Sequence, residues 1–345
     1  MIKTIRDHRG IGKKKAGIFM FKICVIGCGS MSTTGHGPSF RKYKEDYKDI
    51  CLAACCDLSA EKAERYAQSF GFETWYTDYP TMLEECKPDA VALICPVALT
   101  MQLSIDIMQR GYSIILEKPP GLNSDQINQM LAVAKEKGVS VRTSFNRRYT
   151  PLILKLKELL AGKRIFNITY QMYRKARRDA DFATTAIHAI DAVKYIAGSD
   201  YSRVDFTYQE LPEEGTNVAN YQLSGRFENG AMAQIALVPM GGALFERITV
   251  NTLNETYFVE LPINTSPDGN GRLRMFREGV CALDIPGEAL VEEAVMFQQC
   301  GFYEENRSFF ERIRSGAAPA CDLESGMQSV DIANCLRNRE AVYIK

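Results

Sequence analysis

Histidine and tryptophan are nearly missing from this sequence. Only His8, His36 and His188 occur, with a single tryptophan, Trp75. Few side chains are therefore available to exchange protons near neutral pH. There is no C-x-x-C pair among the eleven cysteines, whose odd number and scatter argue against a disulfide framework or a zinc site. Buried, reduced thiols in a cytoplasmic protein are expected instead, with no metal. Charge of either sign is not in excess, since 42 basic residues face 42 acidic ones. That balance excludes a nucleic-acid or membrane-surface role driven by bulk charge. No apolar run reaches the ~18 residues that a membrane span requires.

What is present is a chain of 345 residues, long enough for two domains with sizeable cores, and free of repeats. Its first residues differ from the rest. Met1 to Ala16 is basic, includes Lys13, Lys14 and Lys15, and lacks apolar periodicity. It has no apolar core of the kind a secretory signal needs. Residues 1–19 are expected to form a disordered extension ahead of a natural start at Met20, with a basic arm for nucleic acid as the alternative.

From Met20 the pattern alternates strand and helix. The apolar run Phe21–Ile26 leads directly into Gly27-Cys28-Gly29-Ser30-Met31-Ser32, and Asp57 closes the next apolar run, Cys51–Cys56. A buried strand, a glycine turn and a helix start form a pyrophosphate-binding arrangement, because backbone N–H groups and the helix dipole face the ligand. A carboxylate at the tip of the second strand can accept both ribose hydroxyls and would repel a 2′-phosphate, so NAD is favoured over NADP. Ser32 replaces the third glycine of the fingerprint. Further strands are expected at Ala90–Ile94, Tyr112–Leu116 and Val139–Ser144, with crossover helices between them. This is the pattern of a doubly wound parallel sheet.

After about Asn146 the texture changes. Strand-like stretches follow one another at Val204–Leu211, Asn217–Phe227, Met232–Leu237, Arg247–Asn251 and Thr256–Leu261. Gly, Asn and Pro turns join them, which implies a largely antiparallel sheet. Helices are expected at Thr150–Leu160, His188–Ile196, Glu304–Ser315 and Leu323–Arg337. The fold class is α/β: a Rossmann domain over residues 20–147, then an α/β domain over 148–345 with a large, mostly antiparallel open sheet.

Gly27-x-Gly29, His36-x-Pro38, Asp57, Glu117-Lys118-Pro119, Phe145-Asn146-Arg147-Arg148 and His188-x-x-Asp191 occur in this order and at characteristic spacings. Together they resemble the glucose–fructose oxidoreductase/inositol dehydrogenase/rhizopine-catabolism (Gfo/Idh/MocA) family, over nearly all of 20–345. The resemblance implies an NAD-dependent oxidoreductase acting on a secondary alcohol of a sugar, cyclitol or sugar acid. It also implies a homodimer or homotetramer. Gly27, Gly29, Ser30, Met31, His36, Asp57, Pro96, Glu117 and Lys118 are the implied cofactor contacts, His36 from a loop near the cofactor or as a solvated turn residue. The family's lysine maps onto Lys118, at a strand's carboxyl end, where a cation can stabilise a developing alkoxide; the alternative is a turn lysine facing solvent. Its active-site histidine maps onto His188, at the start of an amphipathic helix, able to take a hydroxyl proton; the alternative is a core histidine.

Two departures stand out. Thr184 occupies the position of a family aspartate and cannot carry its charge. It is kept here as a catalytic candidate, with Asp191, Asp179 or Asp181 as possible partners for the imidazole. Thr100 and Val97 replace a histidine and an asparagine expected after Cys95-Pro96. Arg148, Arg174, Arg177 and Arg178 are the candidate substrate contacts, since clustered guanidinium groups suit a carboxylate or phosphate; the 174–178 run reads equally as a solvated charge run balanced by Asp179 and Asp181. Two rival functions are an NAD-dependent glycosidase working by transient oxidation and elimination, and a non-catalytic dinucleotide-binding sensor.

Overall fold

The computed structural model describes residues 20–345; the expected extension over 1–19 lies outside the described residues. The first sheet contains β1 (Phe21–Ile26), β2 (Ile50–Cys56), β3 (Thr74–Tyr76), β4 (Ala90–Leu93), β5 (Ser113–Glu117) and β6 (Val141–Ser144). All are parallel, in the order β3-β2-β1-β4-β5-β6. Every residue of β2 is buried, so both faces of the sheet need helical cover. That cover includes α1 (Gly37–Asp46), α2 (Ala60–Phe70), α3 (Tyr79–Cys86), α4 (Val97–Gln109) and α5 (Ser124–Lys137). The strand order reverses between β1 and β4, and a crevice opens at their carboxyl ends, the usual ligand position in such sheets.

After α6 (Pro151–Leu159), the second sheet begins with β7 (Ile165–Tyr173), and α7 (Ala183–Ala197) follows. Then come β8 (Tyr201–Glu210), β9 (Ala219–Phe227), β10 (Met232–Val238), β11 (Phe245–Thr252), β12 (Glu255–Glu260), β13 (Arg272–Arg277) and β14 (Val280–Pro286). The chain ends with α8 (Met296–Gln299), α9 (Phe302–Arg314), α10 (Leu323–Arg337) and β15 (Val342–Ile344). The nine strands run β14-β13-β12-β11-β7-β10-β9-β8-β15. Every pairing is antiparallel except β7 with β10. Burial alternates along β9, as expected for a sheet with one covered face.

One helix departs from the sequence expectation, and another, found where expected, packs away from its own sheet. α7 starts before His188 rather than at it, and it is buried on nearly all sides instead of amphipathic. Thr184 and His188 therefore lie one turn apart on one face. α9 returns to the first sheet, where Phe309 and Phe310 join Phe21, Phe40 and Tyr43 in one apolar cluster.

A buried ion pair ties these parts together. Arg148, in the turn after β6, donates through Nε to Asp191 Oδ2 at 2.7 Å and through Nη2 to Oδ1 at 2.5 Å. Its Nη1 reaches the Ser325 hydroxyl, and Ser329 also donates to Asp191, so α10 joins the network. Removing one partner strands the other charge, a loss typically of about 3–5 kcal/mol. Asp191→Asn and Arg148→Met should each lower the unfolding free energy, read from urea titration, by that order. The double replacement Arg148→Met/Asp191→Leu should lose less than the sum of the two single losses.

Candidate active site

The glycine turn begins where β1 ends. Gly27 has φ +98°, and a Cβ there would overlap the Ile94 carbonyl, so only glycine lets the ends of β1 and β4 approach this closely. Gly29 is the opposite case, since a Cβ there would meet nothing within 4 Å. Its open side faces a cavity of about 340 Å³ lined by Cys28, Gly29, Ser30, Thr33, Lys62, Arg65 and Tyr66, among others. Asp57 fastens the turn: Oδ2 accepts the Cys28 N–H at 2.9 Å and Oδ1 accepts the Ser59 N–H at 2.9 Å. Each carboxylate oxygen keeps a second acceptor site for a ribose hydroxyl. Ser32, in place of the third glycine, is buried and donates to the Tyr66 hydroxyl at 2.9 Å. Met31 stands half exposed beside the turn, and Pro96 opens α4 at the carboxyl end of β4. This donor set fits a dinucleotide.

A second group of residues gathers at the end of β5. The Lys118–Pro119 peptide is cis. Lys118 Nζ donates to the Thr184 carbonyl at 3.0 Å, joining the first sheet to the first turn of α7. Glu117 Oε1 lies 2.9 Å from His36 Nε2, and His36 Nδ1 lies 3.3 Å from Asn306 Oδ1 on α9. His36 is 1% exposed in a π-helical turn, Ser32–His36, and not in a surface loop. Such a turn re-aims a side chain within a helix, here into the core. His188 is 8% exposed, and its Nδ1 has no hydrogen-bond partner among the described residues.

Around them lies an arginine cluster. Glu246 is fully buried on β11 and accepts from Arg147 Nη2 at 2.7 Å, from Arg174 Nη2 and from the Tyr170 hydroxyl. Among the described residues no group of His, Cys, Asp and Glu could hold a metal ion.

Residues 21–145 match a family model described as oxidoreductase family, NAD-binding Rossmann fold. The match covers the first domain and is to the Gfo/Idh/MocA family that the sequence motifs resemble. It is 27% identical to the uncharacterized oxidoreductase YrbE of Bacillus subtilis over 205 residues, 53% of this chain and 58% of that protein. It is 23% identical to myo-inositol 2-dehydrogenase of Thermotoga maritima over 328 residues, 90% and 93% of the two chains. The chain spans about half the length of the first curated relatives it matches. A crystal structure of the dehydrogenase MviM from Clostridium difficile superposes with a TM-score of 0.79 at 16% identity, covering 92% of this chain and 99% of that one, a likeness of fold.

Within this chain the expected site residues fare differently. Lys118, Thr184, His188 and Arg174 come together. Asp191 does not join them, because Arg148 holds it in the core, and Arg148 is thereby removed from the substrate cleft. Asp179 pairs with Arg177, and Asp181 with Arg337, so neither turns toward the imidazole. Arg178 pairs with Glu214 at the surface, away from any cleft. The Thr184 hydroxyl donates to the Asp181 carbonyl at 3.0 Å and does not reach His188. Thr100 is buried with its hydroxyl 3.7 Å from Cys95 Sγ, a packing contact.

Arg147 and Glu246 were missed as a pair. Glu246 shares the inward phase of β11 with Ile248 and Val250, and a charge in that phase is a legible signal. Lys62 and Arg65 were also missed; α2 carries them into the dinucleotide cavity from beyond the stretch directly after Asp57.

Burial and the charges of Arg147, Lys118 and Arg174 hold the His188 imidazole well below its usual value, so it is neutral near pH 7. Burial also lowers Lys118, with Glu117 opposing and the arginines assisting. Burial raises Glu246, but Arg147 and Arg174 outweigh it and keep the carboxylate ionised.

Glu305, beside Asn306, is the contrary case. It is 0% exposed, its Oε1 is unpartnered, and burial drives its carboxyl well above the usual range. Its folded-state proton is retained after the unfolded chain has lost one, so stability falls as pH rises above the ordinary glutamate range. Glu305→Gln should raise the melting temperature at pH 8 and leave it nearly unchanged at pH 4, as scanning calorimetry would read.

Proposed function

We propose that this chain is an NAD-dependent dehydrogenase interconverting a secondary alcohol and a ketone on a sugar, cyclitol or sugar acid. The observation that carries the reading is the meeting of Lys118 with the first turn of α7, one turn before His188, at the carboxyl edge of the first sheet. Gly27, Gly29 and Ser30 would hold the pyrophosphate and Asp57 the adenosine ribose. NAD, when bound, supplies the hydride acceptor.

The protein's own part is proton handling. The His188 imidazole is neutral, and because its Nδ1 is buried, the other ring nitrogen is the one left to meet a substrate. It can take the hydroxyl proton as the carbon is oxidised and return it in reduction. Lys118 uses one N–H on the Thr184 carbonyl and keeps two donors for the substrate oxygen, where negative charge develops. The names of relatives such as myo-inositol 2-dehydrogenase support this substrate class. All eleven cysteines are free thiols, which supports a reducing, cytoplasmic setting. Among the described residues no helix is long and apolar enough to cross a membrane. Met232 and Phe258 stand exposed on the outer face of the second sheet and support a homodimer or homotetramer.

His188→Ala and Lys118→Ala should each reduce kcat by ~10²–10⁴-fold on the true substrate, far more than either costs NAD affinity. Because His188 is depressed, the acid limb of kcat/KM should fall below pH 6.5, and unchanged turnover in His188→Ala would remove it as the base. NAD should bind more tightly than NADP in fluorescence titrations. Asp57→Ser should narrow that gap, since Lys62 and Arg65 already line the same cavity.

A further inference from the structure

The first turn of α7 is crowded with positive charge and holds no acid. Lys118 Nζ bonds the Thr184 carbonyl, and Arg177 Nη2 lies 3.4 Å from the hydroxyl of the next residue, Thr185. The two cations therefore bracket one helix turn. Behind them Arg147 and Arg174 share a single carboxylate, Glu246, which also accepts from Tyr170. Glu117 is engaged by His36. Among the described residues the only anion paired with Arg177 is Asp179, in a half-exposed pair of small worth. The Lys118 ammonium has no carboxylate hydrogen-bond partner among the described residues, and the residue is only partly exposed. The N-terminal end of α7 adds its own positive pole. One turn further on, the largely buried His188 leaves Nδ1 unpartnered. With Glu117 set against Lys118 and Asp179 against Arg177, the two arginines on Glu246 leave one positive charge that a neutral polyol would not match, and a buried, unbalanced charge is costly.

We propose that the substrate is anionic, with a carboxylate or phosphate that docks against Lys118, Arg177 and Arg174 at the first turn of α7 while the reacting hydroxyl faces His188. This assignment rests on the dehydrogenase reading and narrows its substrate class.

The test uses the full chain with NAD bound. Matched probes are D-glucose, D-glucuronate and D-glucose 6-phosphate, with myo-inositol as a second neutral probe. NADH formation and calorimetric binding are read together. The charged probes should bind and turn over with kcat/KM at least ~10-fold above glucose, a modest return for a guanidinium–oxyanion contact. Preference between glucuronate and the phosphate ester identifies the anion. Arg177→Gln, at a half-exposed surface position, should raise KM for the charged probe about tenfold and move that of a neutral one far less. Turnover of neutral probes with equal or lower turnover of charged ones would overturn the anion assignment and leave the dehydrogenase reading standing. NAD binding without turnover of any probe, and without calorimetric heat from either anion, would overturn both.

Discussion

The bond from Lys118 to the Thr184 carbonyl is the contact on which the site depends. It joins the carboxyl end of a parallel strand to the first turn of a helix from the other sheet. Neither half holds both chemical groups: the first sheet brings the lysine and the dinucleotide cradle, and α7 brings the histidine. Because α7 is enclosed on nearly all sides, its rotation and height are set by packing, and His188 inherits that fixed position.

Around this joint the protein manages charge by pairing. Arg148 is matched to Asp191, and Arg147 and Arg174 to Glu246, and each pairing is largely buried. Buried pairs of this kind fix geometry more than they add stability. Burial lowers the proton affinity of His188, and Arg147 and Arg174 add to it, so the electrostatics that order the cleft also keep its imidazole neutral.

Much of this was legible in the chain. The parallel sheet followed from apolar runs separated by helical patterns, and the second sheet from alternation along stretches such as Asn217–Phe227. β13 and β14 escaped notice, because Arg272, Arg274 and Arg277 interrupt the first and β14 lies at the sheet edge, mostly exposed. His36 looked like a loop residue since nothing local marks a π-helical turn. The arginine roles were hidden for a different reason. Arg147 and Glu246 stand 99 positions apart, and Arg148 and Asp191 stand 43 apart, so which arginine meets which acid is decided by packing that no local pattern records.

The return of α9 to the first sheet bears on how the chain is made. Phe309 and Phe310 close the cluster that contains Phe21 and Phe40, and Asn306 caps the buried His36. During synthesis the dinucleotide-binding segment leaves the ribosome long before these residues exist. Its apolar underside must wait, uncovered, while the whole second sheet is translated. A nascent chain of this design exposes its most sequence-recognisable part for longest, and there a chaperone has the most to shield.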